Sequence, residues 1–97
     1  MAYDPGAIDA TLAAAVGEDP ALIAELRFAF HEGAERSLAT LKAATDAEGW
    51  REAAARLRGL AASFGAVRLM ALATEIGDAS PGDAKLLARL ERAIARL

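Results

Sequence analysis

The stretch AAARLRGLAASFGA, Ala53 to Ala66, decides how this chain is read. Leu57, Leu60, Ala61 and Phe64 recur at three- and four-residue spacing, and Trp50 and Ala53 extend the same stripe toward the N-terminus. That is the period of a helix with one buried face. Gly59 interrupts it, and glycine in a helix interior costs about 1 kcal/mol relative to alanine. At roughly 100° per residue the stripe centres near Leu57 and Phe64, and Gly59 lies opposite it. Ala55 falls one turn earlier on that outer face, Ala62 nearly one turn later, and Arg51 and Arg58 flank them. The predicted outer surface is a strip of very small side chains bordered by two guanidinium groups. An ordinary solvated face carries Glu, Lys and Gln; a bare helix backbone lets another molecule approach closely.

Helix-start signals extend the pattern in both directions. Asp4-Pro5, Asp19-Pro20 and Ser80-Pro81 each pair an N-cap residue with proline at the first helical position. In Ser80-Pro81-Gly82-Asp83 the carboxylate is expected at the third helical position, near the positive end of the helix dipole. Thr45 and Glu48 have capping-box spacing, with Asp46 as the alternative cap. The expected helices run from about Pro5 to Val16, Pro20 to Ala44, Ala47 to Phe64, Val67 to Ile76, and Pro81 to the C-terminus. Gly17, Gly65 and Gly77 supply stops.

Apolar stripes support the division. They comprise Ile23, Leu26, Phe30, Ala34, Ser37 and Leu41 on the second helix, with Leu38 at the edge, and Leu69, Leu72 and Ile76 on the fourth. Leu86, Leu87, Leu90, Ile94 and Leu97 line the fifth. Short connections between amphipathic helices predict an all-α protein, an antiparallel four-helix bundle with an additional short N-terminal helix across one end. The 97 residues are the length of one domain, 1–97. At 55% hydrophobic and 26% charged, with much of the apolar share alanine, the chain is expected to fold by close helix packing.

Composition also narrows function. A net charge of −3 does not suit phosphate-backbone binding, so no nucleic-acid partner is expected. There is no cysteine and only one histidine, which leaves no thiolate chemistry and no ordinary zinc site; no metal or other cofactor is expected. No apolar run reaches the roughly 18 residues of a transmembrane helix, and MAYDPGAIDA lacks the features of a signal peptide. A cytoplasmic protein without membrane contact is the expectation.

The central stretch resembles the signature of histidine-phosphotransfer (Hpt) domains, loosely A-H-x-L-K-G followed by small residues and G-A. The matching residues are Ala54, Leu57, Arg58 in the lysine position, Gly59, then Ala61, Ala62, Ser63, Phe64, Gly65, Ala66 and Leu69. The resemblance extends to Glu25-Leu26, Phe30, Leu38 and Leu41 on the second helix and to Trp50 near the start of the third. It implies a four-helix bundle of two-component phosphorelay signalling, in which the glycine leaves space for an incoming receiver domain. The phosphoacceptor position, four residues before Gly59, is Ala55. Alanine has no nucleophile, so no phosphoramidate can form there and no enzymatic activity is expected.

The resemblance implies a docking module for a response-regulator receiver or a histidine kinase, binding through Arg51, Ala55, Arg58, Gly59 and Ala62. Arg51 and Arg58 would complement the acidic pocket of a receiver. Two alternatives stay open. The chain is a working phosphotransfer protein whose histidine has been replaced by alanine, or it is a structural bundle that scaffolds or homodimerises through its alanine-rich faces.

Other candidates lie outside the motif. His31 falls at the border of the core stripe and reads as a boundary histidine, beside Glu32 and Glu35 that would repel a phosphoryl group. Phe28 stands among Glu25, Glu32 and Glu35 in projection, and the favoured reading covers it with the first helix through Ile8 or Leu12. If exposed instead, it would anchor a partner alongside the Ala55–Gly59 strip. The plainer expectation for Arg51 and Arg56 is pairing with Glu48 or Glu52 at helical spacing. Asp78 and Asp83 read as caps.

Overall fold

The computed structural model describes residues 5–97. Its helices are α1 (Pro5–Val16), α2 (Pro20–Ala43), α3 (Ala47–Ser63), α4 (Val67–Asp78) and α5 (Ala84–Ala95), and the described residues contain no strand. The expected cap at Asp4 lies outside the described residues. Asp19 caps α2, its carboxylate accepting from the amides of Ala21 at 3.0 Å and Leu22 at 3.3 Å. Asp46, rather than the Thr45–Glu48 box, caps α3 by accepting from the Gly49 amide at 2.7 Å. Gly17 and Gly65 follow α1 and α3 in left-handed conformations, with φ of 79° and 70°.

The last connection departs from the sequence reading. Pro81 does not open α5. The Asp83 amide donates to the Ser80 carbonyl at 3.2 Å and Gly82 has φ of 82°. Proline then glycine is also the signature of a type II turn, whose third residue needs positive φ. The chain turns there, and Asp83 caps α5 by accepting from the Leu86 amide at 3.1 Å. The stop expected at Gly77 is displaced as well, since α4 runs on to Asp78, which is its last residue and not a cap. Gly77 lies inside the helix and faces α3: a Cβ there would sit 3.5 Å from the Ala54 methyl, an ordinary van der Waals contact.

Helix packing follows chain order. α2 packs on α3, α3 on α4, α4 on α5, and α5 returns to α2; α1 lies on α2. Gly33 of α2 meets Leu60 of α3, and the rings of Phe30 and Phe64 stack with centroids 4.6 Å apart, so α2 and α3 run antiparallel. Trp50, Phe30, Ile8, Leu41, Leu57, Leu69, Ile76, Leu90 and Ile94 are sealed in the core. Trp50 donates its indole N–H to the Ile76 carbonyl at 2.6 Å, using an acceptor near the C-terminal end of α4. Ala54 joins the core although it lies beside the predicted stripe, because α4 packs closely on that flank. Leu60, Phe64, Leu86, Leu87 and Leu97 are half-buried at its border.

Candidate functional site on the outer face of α3

The core stripe fixes what α3 shows to solvent. With Trp50, Ala53, Leu57 and Ala61 buried, the opposite face carries Arg51, Ala55, Arg58, Gly59 and Ala62, all exposed. These five residues, grouped by helical spacing, do form one surface. Gly59 is helical, has negative φ, and would meet nothing within 4 Å if it carried a Cβ. The glycines at 17, 65 and 82 have positive φ, a Cβ at 33 or 49 would crowd a neighbour at 2.9 or 3.1 Å, and one at 77 would make ordinary contact with Ala54. Gly59 therefore has neither a conformational nor a packing requirement within the chain. Ser63 donates its hydroxyl to the Gly59 carbonyl at 3.0 Å and is thereby engaged.

Among the described residues, Arg51, Arg56 and Arg58 make no ion pair; the expected pairs with Glu48 and Glu52 do not form. Arg51 and Arg58 border the strip on the side toward α4. Arg56 lies on the other flank, in a cleft against α2.

Phe28 is not covered by α1. Its exposure is 64%, while Ile8 and Leu12 are buried in the core. The pair Arg27–Asp9, at 2.6 Å, ties α1 to a different side of α2. Phe28 also stands apart from the strip. The face of α2 toward α3 carries Gly33, and Phe28 is about 140° around the helix from it. Val67, by contrast, reads in the sequence only as a helix start and is 64% exposed just beyond the reversal that follows Ala62. Its signal was available: it falls off the Leu69–Leu72–Ile76 stripe.

His31 is half-buried, as its border position predicts. It lines a shallow cleft of about 340 Å³ between α2 and α5, with Glu35 and the Lys42–Glu91 pair, whose Nζ–Oε2 distance is 3.0 Å. The other exposed ion pair joins α5 to α4. Arg89 reaches Glu75 with two hydrogen bonds, 2.9 and 3.3 Å, which together with its charge hold the Glu75 carboxyl below the usual carboxylate range.

Chemically the α3 face offers shape and positive charge. Ala55 presents only a methyl group to solvent. No helix among the described residues is long and apolar enough to cross a membrane, and no cluster of His, Asp and Glu among them could hold a metal ion. No family model matches the chain, and no curated protein or solved structure matches it either.

Proposed function

We propose that this chain is a cytoplasmic docking module of the histidine-phosphotransfer type, a four-helix bundle with an extra N-terminal helix that binds a receiver domain or a histidine kinase without exchanging phosphate. The observation that carries the reading is Gly59, an exposed mid-helix glycine that the fold itself does not require. A residue that costs helix stability and relieves no internal clash is explained by clearance for an outside partner. Three further features agree with it. The helices α2 to α5 close a ring of contacts, as a bundle does. Arg51 and Arg58 border the strip, positioned to speed encounter with an acidic partner. Val67 adds apolar surface at one end.

Isotope-labelled protein titrated with receiver domains of the same organism tests this. Amide shifts concentrated at Arg51, Ala55, Arg58, Gly59 and Ala62 are expected, and Gly59→Gln should abolish them by placing a long side chain in the path. Unchanged affinity in that variant would sink the proposal. Ala55 is itself exposed, and the replaced-histidine reading is tested at that position. Ala55→His that exchanges phosphate rapidly with a phosphorylated receiver would favour it; a folded, inert Ala55→His protein would favour docking alone.

A further inference from the structure

On the flank of α3 away from Arg58, a cleft of about 240 Å³ opens between α2 and α3. Gly33, Arg36, Ser37 and Thr40 line it from α2, and Ala53 and Arg56 from α3. Arg56 and Arg58 are about 160° apart around α3, so this cleft is separate from the proposed docking edge.

Arginines without an ion pair are unremarkable by themselves, since among the described residues Arg51 and Arg58 make none either. What distinguishes the cleft is convergence. Two arginines from different helices line one small concavity, and among the described residues neither makes an ion pair. Glu32 and Glu52 each stand four residues before one of them, the favoured order for a helical ion pair, yet neither pair forms. Gly33 keeps the α2 wall low: an Arg36 nitrogen lies only 3.8 Å from where its Cβ would be. Ser37 is half-buried in the cleft with no hydrogen-bond partner among the described residues. Thr40 donates its hydroxyl to the Arg36 carbonyl at 3.0 Å, which fixes the rim.

We infer that this cleft binds a small tetrahedral oxyanion of the phosphate class. Planar guanidinium groups present paired N–H donors matched to such oxygens, and the Ser37 hydroxyl supplies a further donor. The volume admits a phosphate or phosphomonoester group and falls below the usual range for larger organic ligands. The inference does not depend on the docking reading, because it uses neither Gly59 nor the residues around it.

The test is a titration of labelled protein with inorganic phosphate at constant pH and ionic strength, sodium chloride replacing phosphate in the control. Saturable shifts are expected at the Gly33, Ser37 and Thr40 amides and at the Arg36 and Arg56 side-chain N–H groups. Arg36→Gln and Arg56→Gln, both at exposed positions, should each weaken binding about tenfold, as loss of a charge-assisted contact implies. Phosphoserine serves as a second probe. Tighter binding of phosphoserine identifies a phosphorylated side chain as the source, and equal or weaker binding identifies free phosphate. Shifts no larger than those in chloride, or shifts that persist unchanged when both arginines are replaced by glutamine, overturn the site.

Discussion

Gly59 and Gly33 occupy similar positions in their helices and have opposite environments. A methyl group at 59 meets nothing within 4 Å, whereas at 33 it would lie 2.9 Å from Leu60 Cδ2. Gly59→Ala should therefore gain most of the propensity difference, about 0.5–1 kcal/mol, in urea denaturation. Gly33→Ala should gain less, because Leu60 has to move out of the α2–α3 contact. Equal gains would mean that this contact yields without cost. Exposure of Gly59 was legible in the sequence, since 100° per residue and a clear stripe suffice to place it. Exposure of Phe28 was not, because it depends on where α1 settles across α2, and no local pattern fixes that. The Glu75 carboxyl also belongs at this scale. Arg89 depresses its folded-state titration, so the contribution of the pair is present above the unfolded carboxylate range and is lost as pH falls through the lower folded value. Arg89→Gln should return Glu75 to ordinary titration, read by side-chain carbon NMR, and added salt should shrink the difference because the pair is exposed.

Each element's start is a contest between local signals. Three cap readings separate the winners. Asp19 combines side-chain acceptance with a following proline, and α2 begins there as read. At α3, Asp46 outcompetes the Thr45–Glu48 box because its carboxylate reaches the Gly49 amide directly. At α5, the Pro81-Gly82 turn defers the helix, and the cap passes to Asp83. Asp46→Ala and Asp83→Ala should each cost about 1 kcal/mol in thermal or urea unfolding, whereas Thr45→Ala and Ser80→Ala should cost little. A loss at Ser80 matching that at Asp83 would contradict the turn. Proline with an N-cap residue before it marks either a helix or a turn, and the glycine after Pro81 is what tips the balance. Helix number, order and main boundaries were thus readable from periodicity and punctuation; the cap residues were settled by geometry one to three positions away.

Across the whole molecule the dimensions are 42 × 24 × 17 Å. The core draws on all five helices, and no polar or charged side chain among the described residues is buried. Stability rests on that core, to which α1 adds Ile8 and Leu12 while packing on α2. In native-state hydrogen exchange, amides of residues 12–16 should exchange well ahead of those in the middle of α3. Similar protection throughout would show that α1 unfolds only with the rest. The ring of contacts among α2 to α5 was implied by helix count and short links, but which side of each helix meets which neighbour was not. That is why the Arg36–Arg56 cleft was invisible in the sequence: it pairs residues twenty positions apart on two different helices.

Trp50 is the chain's only tryptophan, sealed from solvent and bonded through its indole N–H. It stands nine residues from Gly59, about 180° around the same helix. The protein thus carries an optical probe that faces the interior while the proposed partner would face the exterior. Its emission should be blue-shifted in the folded state, move to the red on unfolding, and stay unchanged when something settles on Gly59. A Gly59→Gln protein that keeps the native spectrum and has lost its partner would have lost a surface and nothing else.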